Sequence, residues 1–164
     1  MGQVEDEDLL WFVDRALDGM LDTCRQLGDG LANERLAAEG SNSPYAIVVH
    51  CVGVMDFWAG HKVAGRPNHR DRDAEFRATG TVDDLTSQLR SARGRFVEAL
   101  AGADWDAPCV GQDRPETHAQ PVGRTQGGAL VHVLEELCQH RGQLEVTADV
   151  LRATAARTAD SSPT

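Results

Sequence analysis

Apolar residues recur at helical spacing in four stretches of the chain, whereas the alternation typical of strands is almost absent. The first stretch predicts a helix from about Asp6 to Leu27. Gly28 and Gly30 interrupt it, and helix is expected to resume toward Leu36. The apolar stripe of this helix consists of Leu9, Val13, Ala16, Leu17, Met20, Cys24 and Leu27.

The second predicted helix has a well-marked start and end. Ser43 can accept hydrogen bonds from the first free backbone N–H groups, and Pro44 suits the first helical position because its missing donor is not needed there. The helix is predicted to run from Pro44 to about Val63, and the Gly65-Arg66-Pro67 sequence ends it. A polar crossover of about 20 residues follows, long enough to cross the end of a helical bundle.

The third predicted helix begins at a capping box formed by Thr81 and Asp84. A loop rich in glycine and proline is expected from Gly102 to Gly128. The residues on the apolar face of the third helix are Leu85, Leu89, Ala92, Phe96 and Leu100.

The fourth predicted helix runs from about Gln126 to Ala155. Four long amphipathic helices in one small chain predict an all-α fold, a four-helix bundle with a long crossover between its second and third helices. We expect one domain over residues 1–152 and a disordered tail over residues 153–164.

The composition narrows the classes of partner. The chain of 164 residues carries 26 acidic and 16 basic side chains, a formal charge of −10. An acidic surface repels phosphate, which argues against nucleic acid and anionic membranes as partners. The four cysteines show no CxxC spacing and no export signal precedes them, so we expect reduced thiols in a cytoplasmic protein.

Residues with metal-binding chemistry occur on two of the predicted helices. Glu136 and His140 are four positions apart, so they lie about 40° apart around the helix axis and their side chains can meet. His132 extends the same stripe by one turn, and His50 lies among valines of the second helix. An imidazole from one helix, with a carboxylate and an imidazole from a facing helix, gives a donor set that suits Zn²⁺ or a similar divalent cation.

The spacing alone leaves an ordinary structural interpretation open. A single buried histidine such as His50 is commonly a hydrogen-bonded core residue. Glu136 and His140 have the spacing of a common surface pair. Cys51 and Cys138 neighbour the candidate ligands but point about 100° away around their helices, so we interpret them as core thiols.

Helical geometry places further residues near the candidate site. They are Phe57 and His61 on the second helix and Gln143 and Thr147 on the fourth. Trp58 on the second helix could line a pocket, and His118 in the long loop could approach the site as a fourth ligand or an acid-base group. Packing explains Trp58 equally well, and exposure explains His118. Arg72, Asp73 and Glu75 offer polar contacts in the crossover, although such charges usually form a solvated surface cluster.

Three segments of the chain resemble the DinB-like superfamily. They are NSPYAIVVHCVGVMDFWAGHKVAGR, RDRDAEFRATG and ALVHVLEELCQHRGQLEVTADVL. The branch that the chain most resembles is that of the short mycothiol-dependent S-transferases of actinobacteria. The similarity covers about residues 7–152 and is most distinctive at the HxGQ-type segment His140-Arg141-Gly142-Gln143.

The resemblance implies a divalent metal at one end of the bundle core. Many members bind it with three histidines, whereas the mycothiol-dependent maleylpyruvate isomerases use the His-Glu-His pattern that His50, Glu136 and His140 match. Zn²⁺ is the expected metal, with Ni²⁺ and Fe²⁺ as alternatives, because this donor set serves several ions. A homodimer is also implied. The residues expected to contact substrate are Trp58, His132 and Gln143.

The expected function is a stand-alone thiol transferase, since the isomerases carry a further C-terminal domain that this chain has no room for. A metal-bound thiolate, from mycothiol by resemblance, would attack a small electrophile and so detoxify it. The thiol and the electrophile are the expected partners. Two alternatives stay open: a stress protein that binds metal or thiol without turnover, and a metal-dependent hydrolase.

Overall fold

A computed structural model of the protein describes residues 4–111 and 124–160, with side chains through residue 158. Within these ranges all the extended elements of secondary structure are helices, and the only β-structure is one isolated bridge between Pro108 and Thr125. The predicted all-α class is therefore confirmed. The helical elements are α1 (Asp6–Asn33), α2 (Pro44–Met55), a π-helical segment (Asp56–Val63), α3 (Arg72–Glu75), α4 (Val82–Ala101) and α5 (Gln126–Asp160).

The four long helices form the predicted bundle. Helix α2 continues directly into the π-helical segment, and together they form one of the four helices of the bundle. Helix α1 packs against α2, α4 and α5, and α2 also packs against α4 and α5. Within the described residues α4 and α5 share no contact of similar extent, so they lie at opposite corners. The short helix α3 lies in the predicted crossover and packs on α2.

Helix α1 buries the predicted stripe and bends where the glycines interrupt it. All seven stripe residues from Leu9 to Leu27 are buried. At Gly28 the backbone leaves helical geometry, with φ 67° and ψ 171°, a region that glycine occupies at low cost. Helix then resumes and ends at Asn33, slightly before the expected Leu36.

Helix α2 starts as predicted but does not end as an ordinary α-helix. Ser43 Oγ accepts a hydrogen bond from the backbone N–H of Ala46 at 3.2 Å, and Pro44 occupies the first turn. From Asp56 onward the helix widens, with bonds such as Ala64 N–H to the Ala59 carbonyl at 3.0 Å that span five residues. The π-helical segment was not predicted, and it turns side chains away from the directions that α-helical geometry gives them.

Helix α4 carries the predicted apolar face. Thr81 and Asp84 form the predicted capping box, and all five predicted core residues of α4 are buried. Helix α5 continues to Asp160, past the expected end near Ala155. The first part of the expected disordered tail is therefore helical, and residues 161–164 lie outside the described residues.

Two aromatic side chains lie on the outer surface of α1. Trp11 and Phe12 are about half exposed, at 55% and 49%. Among the helices of the described residues, none is long and apolar enough to cross a membrane.

Candidate metal centre

The structure brings His50, Glu136 and His140 together between α2 and α5. One potential ligand atom of each lies within 4.8 Å of those of the other two. His140 Nε2 is 3.1 Å from Glu136 Oε2, and the His50 and His140 rings meet edge to face with centroids 4.8 Å apart. His50 is buried, and the other two are partly buried. The grouping predicted from two distant sequence segments is therefore present in the fold.

Local folding explains why these side chains meet. Helix α2 is apolar on most of its surface and is buried along nearly its whole length, so His50 is carried into the core with its neighbours. On α5, Glu136 and His140 lie one turn apart on the same face. Because α2 packs directly against α5, that face meets His50.

Both histidines have an oxygen against Nδ1, and Nε2 of His140 faces the Glu136 carboxylate. His50 Nδ1 lies 2.8 Å from Glu75 Oε2, and His140 Nδ1 lies 2.9 Å from Gln143 Oε1. An imidazole whose Nδ1–H donates to an oxygen presents a basic Nε2, the usual arrangement of a metal-ligating histidine. Two imidazoles and one carboxylate, with a potential ligand atom of each within 4.8 Å of the others, form a donor set that suits a divalent cation.

The charges in the site are mutually stabilised. The hydrogen bond with His140 lowers the pKa of Glu136 below its ordinary value, against the effect of burial. The same hydrogen bond raises the pKa of His140, also against burial. Burial acts to raise the pKa of Glu75, but hydrogen bonds with His50 and Arg70 outweigh it and leave that pKa lowered. The site therefore holds two ionised carboxylates beside its imidazoles.

His132 and Trp58 lie beside the cluster. His132 Nε2 is 3.4 Å from Glu136 Oε1, the oxygen that does not face His140. His132 Nδ1 is 2.8 Å from Glu135 Oε2, and the Trp58 ring packs edge to face on His132 at 4.6 Å. Two of the residues expected to contact substrate therefore flank the cluster, while the third, Gln143, contacts His140.

The sequence interpretation missed Arg70 and Phe76, and it favoured the wrong surroundings for Glu75. Glu75 was assigned to a solvated surface cluster, but it is buried with 8% of its surface exposed, because α3 carries it onto α2. Phe76 stacks on the His50 ring at 4.6 Å. Arg72 and Asp73 are exposed, as expected. The burial of Glu75 depends on how the crossover folds back, for which the sequence gives no periodic signal.

Other predicted neighbours lie elsewhere. His61, in the π-helical segment, places Nδ1 2.7 Å from the Arg66 carbonyl oxygen rather than turning to His50. Thr147 is buried, and its hydroxyl donates to the Gln143 carbonyl at 2.8 Å. His118 lies outside the described residues.

The cysteines divide into buried and accessible thiols. Cys51 is fully buried, and burial raises its pKa, so it is a core thiol as predicted and a poor nucleophile. Cys138 was also predicted to be a core thiol, but it is exposed because it lies on the outer face of α5. All four cysteines are free.

The chain was compared with known proteins. A family model described as mycothiol S-transferase matches residues 8–156, which is nearly the whole chain. A search of curated proteins gave no significant match. With the helical bundle in place and the match extending over both segments that carry the cluster, the chain belongs to the mycothiol S-transferase family, within the DinB-like superfamily.

Proposed function

We propose that this protein is a metal-dependent thiol S-transferase, with mycothiol as its thiol substrate. The observation that carries the proposal is the convergence of His50, Glu136 and His140, within 4.8 Å of one another, in a mycothiol S-transferase family member. The site residues, the metal and the use of mycothiol by this chain are all parts of the proposal.

The proposed metal is Zn²⁺, held by His50, Glu136 and His140, with Ni²⁺ and Fe²⁺ as alternatives that the same donor types accept. A divalent cation in this position lowers the pKa of a thiol and favours its thiolate at neutral pH. Glu136 offsets part of the positive charge, and the partly buried surroundings strengthen the electrostatic effect.

The protein itself supplies orientation rather than a nucleophile. Cys51, the thiol nearest the site in sequence, is fully buried with a raised pKa, which supports an external sulfur as the attacking atom. We propose that Trp58, His132 and Gln143 contact the bound substrates. His132 and Trp58 pack against each other beside Glu136, which supports a shaped wall on that side.

The test is transfer of mycothiol to monochlorobimane, in which a C–S bond forms and chloride and a proton are released. The Cys138→Ser protein serves as the enzyme, so that the exposed thiol does not consume the reagent. Repeated turnover that disappears with a chelator and returns with zinc is expected. Saturable thiol binding without product would instead favour the non-catalytic alternative.

A hydrolase remains the second candidate because His132 is an imidazole outside the proposed ligand set that lies beside Glu136. Release of product from ester or amide substrates without added thiol would favour it. We also propose a cytoplasmic location, in keeping with four free cysteines, and a homodimer as the assembly.

A further inference from the structure

The crossover contributes a buried ion pair, Glu75 and Arg70, which contacts His50 on α2. Glu75 Oε2 lies 2.8 Å from His50 Nδ1, while Arg70 Nε donates to Glu75 Oε1 at 2.6 Å. Arg70 Nη2 also donates to Glu75 Oε2 at 3.0 Å, and the same nitrogen lies 3.2 Å from His50 Nδ1. Both carboxylate oxygens are therefore occupied, and the oxygen that faces His50 is fixed in direction.

The Glu75-Arg70 pair and His50 are largely buried, unlike an ordinary surface salt bridge. The side chains of His50 and Glu75 are 4% and 9% exposed, and that of Arg70 is 16% exposed. Removing a carboxylate and a guanidinium from water carries a large desolvation cost, so a buried pair is weak evidence for a role in stability. Its geometric consequence is specific, because the group that comes nearest to His50 Nδ1 is a carboxylate oxygen, at 2.8 Å, which favours a proton on Nδ1 and a basic Nε2.

Gly53 provides the space that this arrangement needs. A Cβ atom at Gly53 would overlap Glu75 Oε1 and lie 2.6 Å from Glu75 Cδ. Gly53 is one turn after His50, so the Glu75 carboxylate reaches Nδ1 by passing directly over its α-carbon. A glycine in the middle of a helix lowers helix stability, and here the close approach of Glu75 accounts for its presence.

We propose that Glu75 is a positioning residue that sets the tautomer and direction of His50 for metal binding. Arg70 holds the Glu75 carboxylate in place, and Gly53 leaves the space that the carboxylate occupies. The inference rests on the proposed metal site for its functional meaning. It assigns the crossover a part in that site, although none of the three proposed ligands comes from the crossover.

The experiment measures zinc affinity by competition with a chromophoric chelator. Glu75→Ala should weaken zinc binding by about 10- to 100-fold, the usual effect of losing such a partner, and Glu75→Gln should recover part of it. Gly53→Ala should weaken binding in the same direction, although it removes neither a ligand nor a charge. Asp73→Asn, on the exposed side of the same short helix, and Gly94→Ala, whose added Cβ meets nothing within 4 Å, are the matched controls.

A second readout is independent of zinc. In metal-free protein with ¹⁵N-labelled histidine, the His50 ring, assigned with His50→Gln, should be protonated at Nδ1 in the wild type and a mixture of tautomers in Glu75→Ala. Unchanged affinity and tautomer in folded Glu75→Ala and Gly53→Ala would overturn the inference. If the wild type takes up no zinc, the metal site fails, but the tautomer still decides whether Glu75 positions His50.

Discussion

The three imidazoles around Glu136 share one pattern of support. Each has its Nδ1 against a side-chain oxygen: Glu75 for His50, Glu135 for His132 and Gln143 for His140. The partners differ in charge and burial, since Glu75 is buried whereas Glu135 and Gln143 are exposed. His50 therefore has the most rigid support, and we expect it to be the most sensitive of the three to changes in its neighbours.

Removal of His140 should abolish thiol transfer. His140→Ala deletes one of the two proposed imidazole ligands. We expect the rate of mycothiol transfer to monochlorobimane to fall by more than about 100-fold, because the metal binds more weakly and the thiol is no longer correctly oriented. His69→Ala, which removes an exposed histidine of the crossover, is the matched control. Full activity in His140→Ala with unchanged metal content would rule out the proposed site.

Zinc affinity should rise with pH because a proton on His140 competes with the metal. The hydrogen bond with Glu136 raises the pKa of His140 above its ordinary value of 6.5, so a proton competes with the metal up to a higher pH than it would at a free imidazole. Below that raised pKa, each unit of pH should weaken zinc binding about tenfold, and the dependence should flatten above it. Chelator competition between pH 6 and 9 measures this, and affinity that is flat across the range would contradict it.

The cysteines should react in a fixed order. Cys138 is exposed, whereas burial raises the pKa of Cys24 to about 12 and also raises that of Cys51. Iodoacetamide should therefore modify Cys138 in the native protein and reach Cys24 and Cys51 only after unfolding. Peptide mass spectrometry reports the sites, and native modification of Cys51 ahead of Cys138 would contradict the described burial.

At the scale of the elements, the long helices follow from local signals. The period of apolar residues, the Ser43-Pro44 start and the Thr81 capping box each act within one or two turns, and each was predicted correctly. The π-helical segment was not predicted. The burial of Glu75 was not predicted either, because it depends on the packing of α3 against α2. Spacing alone suggested that His50 could meet Glu136 and His140 of α5 but left other interpretations open. The family resemblance then singled out these three residues as a ligand set.

The core of α4 provides a test of the packing. Phe96 is 1% exposed and Phe12 is 49% exposed, so they form a matched pair of phenylalanines on two bundle helices. Phe96→Ala should lower the free energy of unfolding by about 3–5 kcal/mol through lost burial and a cavity. Phe12→Ala should change it by less than about 1 kcal/mol. Urea denaturation measures both, and equal effects would contradict the assigned core.

At the scale of the whole molecule, the bundle helices supply the three candidate ligands, and the crossover supplies a supporting contact to one of them. Helices α2 and α5 bring the three candidate ligands together, and the crossover returns α3 to α2 so that Glu75 meets His50. The chain has a formal charge of −10, but several arginines lie close together beside Glu75. Arg66, Arg70 and Arg95 border a cavity of about 350 Å³ beside Glu75.

The most direct test of the account is the metal content of the purified, untagged protein, measured by elemental mass spectrometry beside His50→Ala and His69→Ala. We expect close to one zinc per chain in the wild type and in His69→Ala, and little in His50→Ala. A wild-type protein that contains no divalent metal and takes up none on reconstitution would contradict the central claim. His50, Glu136 and His140 would then be a hydrogen-bonded cluster of the core.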